Sequence, residues 1–455
     1  MTMANGAELN SVEMLKARLR EAGVRYVFAQ FTDIQGVAKG KTIPLAHLED
    51  VFLPGAGFSG PSIWGTGLPR HGLRSEYYGR GDITTAQVLP WLPGHARIVC
   101  DGYVGGEPFD LCPRQILRRQ VERLAARGWT LNAGLEPEFF LLQRNADGSV
   151  RPADAHDHLE KPSYDYKSLT RQQAFLGALT DALQACGLDV FQIDHEDASG
   201  QYELNYHYSD ALTAADRFML FKMAAHSIAE SLGMVFSMMP KPFANMPGSG
   251  LHFHLSIADE AGGAVFTDRS DAQGLGLSRT GYHFLAGLLH HAPALAALCA
   301  PTVNSYKRLV VGESLSGTTW APAHIGYGDN NRTMLVRVAH SRLEWRLPDA
   351  SANPYLALAA VIAAGLDGVA RALEPGAPFG DDAYELPLSV LRERGLGQLP
   401  GNLGDAVSAL EADTVLGEAL GSAFTAEFCR FKRMEWIEYS RAVHSWETER
   451  YADRF

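Results

Sequence analysis

The chain has 455 residues, with 40 Lys plus Arg against 52 Asp plus Glu and a formal net charge of -12. That balance excludes the basic face a nucleic-acid partner requires and a polybasic surface held on anionic lipid. The five cysteines, Cys100, Cys112, Cys186, Cys299 and Cys429, are far apart and form no CxxC pair, which excludes a disulfide framework or zinc finger and points to a reducing cytoplasm.

Met1–Val12 is polar and rich in small residues, without a signal-peptide core. The first hundred residues read as strands and loops. Tyr26–Phe31 is a strand, Thr32–Lys41 a glycine-containing turn and Thr42–Pro44 the start of the next strand. Val51–Arg74 carries many Gly and Pro residues and reads as a long loop. The texture changes near residue 110, which is the expected domain boundary (1–110 and 111–455). Pro113–Arg127 opens the second part as an amphipathic helix with Pro at its start. Further helices are expected over Gln172–Cys186, Ala214–Leu232, Thr280–Leu298, Pro354–Ala372 and Thr425–Tyr451. Strands are expected over Thr130–Leu142, Val190–Ile193, Tyr202–His207, Gly250–Ile257, Thr333–Val338 and Leu343–Leu347. The longest apolar stretch, Tyr355–Leu366, is shorter than the roughly 20 residues of a membrane span.

Four of these strands share one pattern. Side chains alternate between the faces of a strand. Glu136 and Glu138 therefore project together, as do Glu203, Asn205 and His207, His252 and His254, and Glu344 and Arg346. A solvated face would carry Lys, Ser and Thr as often as Glu and His, and these faces carry no Lys. Carboxylates that repel one another need cations among them, and oxygen donors with one or two imidazoles suit Mg²⁺ or Mn²⁺. Glu196 lies seven residues before Glu203 across a Ser-Gly turn, which can bring both to one ion. Arg308, Arg332, Arg337, Arg342 and Arg346 form a second group, suited to clamp phosphate or carboxylate. Composition and spacing together point to a magnesium-dependent enzyme acting on a phosphorylated or nucleotide substrate.

The ordered segments Phe31-Thr32-Asp33-Ile34-x-Gly36, Glu136-Pro137-Glu138-Phe139, His195-Glu196 through Gly200-Gln201-x-Glu203, Gly248-Ser249-Gly250-x-His252-x-His254, Asn304 through Leu309, Asn331-Arg332 and Arg342-x-Glu344-x-Arg346 with Asn353-Pro354 resemble the glutamine synthetase family over nearly the whole chain. Lys161 through Asp165 and His195-Glu196-Asp197 are most similar to its type III, γ-glutamylmethylamide synthetase-like subgroup.

The resemblance implies an α+β chain with a small N-terminal β-grasp domain and a large catalytic domain built as a funnel of strands flanked by helices. It implies a cytoplasmic dodecamer of two hexameric rings with sites between subunits, and no nucleic-acid or membrane partner. Glu138, Glu196 and Glu203 would hold one Mg²⁺, and Glu136, His252 and Glu344 a second. Arg332, Arg337, Arg342, His254 and Ser256 would lie on the ATP side. Arg308, Arg346 and Gly248 would meet glutamate. The implied reaction runs through γ-glutamyl phosphate to a C–N bond.

Three departures fall on this pattern. The family's Asp-Gly-Ser-Ser loop is matched by Ser59-Gly60-Pro61-Ser62, without its carboxylate. The flap glutamate is matched by Glu313 one position early, and the Asn before Gly-Ser-Gly is Pro247. Two of the three lie on the amine side, so a small alkylamine such as methylamine is the expected acceptor. Ser59, Ser62 and Tyr164 are expected near it, with Glu196 or Glu313 taking its proton. Ammonium, a larger amine, and a ring-forming homologue without catalysis are the alternatives. Tyr384 falls where some relatives carry a modified tyrosine and reads as an ordinary loop residue.

Overall fold

The computed structural model describes residues 3–310 and 321–455, with side chains from residue 11 onward. The first expected element to differ is the N-terminus. It is a helix, Met3–Glu21, whose Val12, Leu15 and Leu19 pack into the first core. These three apolar positions at spacings of three and four are a short amphipathic stripe, hidden by the polar residues before them.

The first sheet runs Ala38–Pro44, Tyr26–Thr32, His95–Val104, Glu76–Gly81, Ala56–Ser59 in spatial order. Tyr26–Thr32 and His95–Val104 are parallel, and the other neighbours on this path are antiparallel. The expected loop 51–74 is therefore broken by the strand Ala56–Ser59. Phe31, Phe58 and Tyr77 pack ring to ring beneath it.

The second sheet has ten strands, with the path Val190–His195, Gln201–Tyr206, Trp129–Arg144, Leu251–Asp259, Arg342–Trp345, Val336–Ala339, Tyr327–Asp329. Its back face buries Leu135, Phe139, Leu204, Phe253 and Leu255. Phe139 contacts the rings of Phe175, Phe221 and Phe236, contributed by two helices and a short strand. Alternation thus sends one set of residues to the helices and leaves the other for a cavity.

The expected helix Thr280–Leu298 is two, Arg279–His290 and Ala292–Cys299, parted at His291 ahead of Pro293, because a proline cannot continue the ladder of the helix before it. Thr425–Tyr451 is likewise two, Ser422–Arg441 and Ser445–Tyr451. Four short helices were not expected: Tyr166–Arg171, Leu388–Glu393, Leu403–Ala412 and Thr414–Leu420. Pro354–Arg371 is the one helix among the described residues with the length and apolar character of a membrane span, and it lies 78% buried in the core. It crosses Arg279–His290 at Gly287 and Gly368. A Cβ on Gly287 would stand 2.1 Å from the Ala364 carbonyl oxygen, so glycine sets the crossing distance.

Two distant motifs meet at the seam between the sheets. Asn353 caps Pro354–Arg371 through Oδ1, which accepts from the Tyr355 and Leu356 amides, while its Nδ2 donates to the Asp33 carbonyl at 2.9 Å. Gly36 sits at φ +78, where a Cβ would press 3.1 Å from Asn353, and Lys222 donates to the Gly36 carbonyl at 3.1 Å. The turn 33–37 is thereby clasped to the second sheet's helices.

Candidate active site

Strand register assembles the site. Glu203 pairs across from Glu138, Glu136 from His252, His254 from Glu344, and Glu344 from Arg337. Each strand alternates, and all four of these pairings are antiparallel, so one face carries a continuous row of charge over five strands. The row opens on a cavity of about 660 Å³ lined also by Glu196, Arg308, Arg332, Arg342, Arg346, Gly248 and Tyr164.

The acidic side is crowded. His252 Nδ1 lies 4.0 Å from Glu136 and 3.7 Å from Glu344, and its Nε2 lies 3.9 Å from Glu138. His254 Nε2 lies 2.8 Å from Glu136, and Glu136, His254 and Glu344 offer ligand atoms within 4.8 Å of one another. Either imidazole can therefore complete that set, although the family resemblance assigned His254 to the nucleotide side. Gly250 and Gln201 donate to Glu138 at 2.8 and 3.1 Å, and Asn205 donates to Glu203 at 2.9 Å.

Burial, with Glu138 and Asp197 nearby, pushes Glu196 up to about 8. Burial and then Glu136, Glu196 and Glu138 push Glu203 well above the usual carboxylate range. Burial also raises Glu138, although Arg308 and Arg346 oppose it. His252 is driven well below its usual value by burial and by Arg346 and Arg308, which keeps it a neutral imidazole able to ligate. Glu344 differs. Burial would raise it, but Arg346, His254 and Arg337 together lower it. Carboxylates forced toward protonation by one another fit a divalent cation, and their oxygen-rich set fits Mg²⁺ or Mn²⁺.

The arginines border the acidic residues directly. Arg346 meets Glu344 at 2.5 Å, and Arg337 also contacts Glu344. Arg308 is 5% exposed and is aimed by bonds to the Leu347 and Arg346 carbonyls at 3.1 and 3.3 Å. A Cβ on Gly248 would meet the Pro240 carbonyl oxygen at 2.4 Å and Arg308 at 3.2 Å, so only glycine fits beside that guanidinium. Arg342 donates to His254 Nδ1 at 3.0 Å.

Some expected residues lie elsewhere. Ser256 is one step beyond His254 on the same strand face and outside the cavity lining. Ser59 and Ser62 bond to each other at 3.0 Å and line a separate cavity with Arg70, Glu76 and Tyr78. Glu313 lies outside the described residues. His207 does not continue the charged face. The strand ends at Tyr206, and His207 is exposed against Phe191 and Asp189. Tyr384 is half-buried, its hydroxyl donating to the carbonyl of Ala321, a residue of the cavity wall.

Sequence reasoning gave no role to Gln201, Phe191, Asp194, Asp197 or Lys241, all of which line the cavity. Gln201 was within reach, since it continues the alternation of Glu203 and Asn205 backward by one step. Phe191 lies at a register shift between Val190 and Gln192, for which the sequence carries no signal.

Residues 110–451 match the model of the glutamine synthetase catalytic domain. The chain belongs to the glutamine synthetase family. Among its relatives, a glutamate–methylamine ligase of Methyloversatilis universalis is 53% identical over 96% of this chain and 98% of that one. A glutamine synthetase of Rhizobium meliloti is 39% identical over 94% and 96%. A solved structure described as a GmaS/ADP complex superposes with a TM-score of 0.89 at 41% identity, covering 96% of this chain and 99% of that one.

Proposed function

We propose that this ATP-dependent ligase joins the γ-carboxylate of L-glutamate to a small primary amine of the methylamine class. The observation that carries the acceptor is the 53% identity to a glutamate–methylamine ligase over nearly both chains, against 39% to a glutamine synthetase. The missing carboxylate at Ser59–Ser62 agrees with it.

In this reading Glu138, Glu196 and Glu203 hold one divalent ion, and Glu136, Glu344 and an imidazole of His252 or His254 hold another. Bound there, Mg²⁺ or Mn²⁺ supplies charge neutralisation at the transferring phosphoryl group. Arg332, Arg337 and Arg342 face the ATP phosphates, and Arg308 and Arg346 hold the carboxylates of glutamate. A γ-carboxylate oxygen attacks the terminal phosphorus and ADP leaves. The amine nitrogen then attacks the acyl carbon, phosphate leaves, and the amine proton passes to a nearby base, for which Glu196 and Glu313 are the candidates. Tyr164, held by its amide to the His195 carbonyl at 2.9 Å, lies at the mouth beside Glu196 and Arg332.

The same reading divides the chain near residue 110 and has Ser59 and Ser62 of one copy close the cavity of the next in a cytoplasmic ring. A core of Val12 to Cys112 separate from the larger one supports the division, although Ile34 and Leu89 of the first part pack into the larger core.

The test is phosphate release with ATP, Mg²⁺ and glutamate across ammonium, methylamine, ethylamine, ethanolamine and putrescine, with products identified by mass. Methylamine should give the highest kcat/KM. Ammonium exceeding every amine would overturn the acceptor assignment and leave a glutamine-forming enzyme.

A further inference from the structure

One buried pair behind the site has no part in that scheme. His195 is 0% exposed, and its ring makes two bonds. Nδ1 lies 2.8 Å from the Glu196 carbonyl oxygen and Nε2 lies 2.8 Å from Asp157 Oδ2. A carbonyl oxygen only accepts, so Nδ1 carries a proton and donates it. The same Asp157 oxygen accepts from the Gly200 amide at 2.5 Å. The Asp157 side chain is 1% exposed, and its Oδ1 has no hydrogen-bond partner among the described residues. A buried carboxylate with an idle oxygen costs stability, so this one is retained at a cost that packing does not explain.

The bonds converge on one turn. Residues 196–200 connect the last residue of one strand to the next and carry Glu196 toward Glu203. His195 grips the turn where it starts, at the Glu196 carbonyl, and Asp157 grips it where it ends, at the Gly200 amide. The ring stands edge-on to Tyr202 at 5.0 Å, which fixes its plane. Asp157 comes from a loop about forty residues upstream, outside the sheet.

We infer that Asp157 and His195 are positioning residues for the ion held by Glu138, Glu196 and Glu203: the pair locks the 196–200 turn so that the Glu196 carboxylate is held near that of Glu203. The inference rests on the two-ion reading above. Neither side chain touches substrate, and both act through the backbone. Outer-shell partners of this kind typically govern metal affinity by about 10–100-fold.

The test is an electron paramagnetic resonance titration of the full EDTA-treated chain with Mn²⁺, without ATP or amine. Glu203→Gln and Glu344→Gln assign the two classes of bound ion, since each deletes one. Asp157→Asn should weaken the Glu203 class about tenfold and leave the Glu344 class unchanged. His195→Asn, whose amide replaces the Nδ1 donor, should bind that class more tightly than His195→Phe, which has none. Equal weakening of both classes, no weakening of either, or equal affinities for the two His195 variants would overturn the pair's role. Should His195→Phe fail to fold, Asp157→Asn decides alone. A wild-type chain that binds no Mn²⁺ overturns the two-ion reading and the pair's role with it, whereas a different acceptor amine in the turnover assay leaves this result standing.

Discussion

Arg114, buried, and Glu203, half-buried, both sit among carboxylates, and they meet opposite electrostatics. Around Arg114 the chain supplies its own balance. Its guanidinium reaches Asp101 at 3.0 Å, Asp82 at 2.9 Å and Asp216 at 2.8 Å, and Arg118 adds a second bond to Asp101 at 2.8 Å. Tyr355 donates to Asp216 at 2.7 Å. Around Glu203 stand Glu136, Glu196 and Glu138, and among the described residues the Asn205 amide is its one hydrogen-bond donor. The first cluster joins one strand of the first sheet, and the residue after another, to three helices of the second part, and its charge is balanced within the protein. The second faces a cavity, and its carboxylates repel one another. What separates the two is charge balance: three carboxylates share Arg114 and Arg118 in one cluster, and four face one another in the other.

Breaking each cluster should separate them. The largest effect is expected from Glu203→Gln, which should lower kcat/KM by about a thousandfold, the rate equivalent of ~4 kcal/mol. The same variant should melt about 2–4 °C higher than the wild type in EDTA, because one repelling charge is gone. It should also gain less from added Mg²⁺ than the wild type, whose gain reaches about 2.7 kcal/mol at one hundred times Kd. A lower melting point in EDTA would mean that Glu203 is a structural residue.

Arg114→Met should do the reverse. Three carboxylates lose their shared partner, at a cost of about 3–5 kcal/mol, read as a shift in the urea midpoint that Mg²⁺ does not restore. An unchanged midpoint would remove the contrast between the clusters.

The smallest effect sharpens the comparison at a third place. His291 lies between Asp413 at 2.6 Å and Asp367 at 3.0 Å. Burial alone would lower its pKa, but the two carboxylates outweigh burial and raise it. A histidine raised in the folded state contributes stability that is complete below its unfolded value of about 6.5 and is lost as pH rises through the folded value. Urea midpoints taken upward from pH 6 should therefore fall more steeply for the wild type than for His291→Gln. Parallel slopes would show that folding leaves the titration of this imidazole unshifted.

Much of the site was legible because a strand's period is two. Glu136 with Glu138, His252 with His254 and Glu344 with Arg346 each announced a shared face before any partner was known. Their meeting in one row needed the register, which depends on which strands pair. Asp157 and His195 illustrate the limit. They are 38 positions apart, and nothing in either segment marks the other. Phe191 is turned into the cavity wall by a local register shift with no sequence signature. The N-terminal helix was missed because its apolar stripe is short. The break at His291 was missed because the apolar run of 280–298 continues across Pro293.

The sequence by itself determined which faces carry charge, the type of donor those faces offer and the family to which the motifs belong, since these follow from residue identity and alternation. Only the tertiary structure decided which acidic cluster is balanced within the protein and which is left with carboxylates facing one another. Balance depends on distances of a few ångströms between residues such as Arg114 and Asp216, 102 positions apart, and coulombic energy falls with separation in space regardless of separation along the chain.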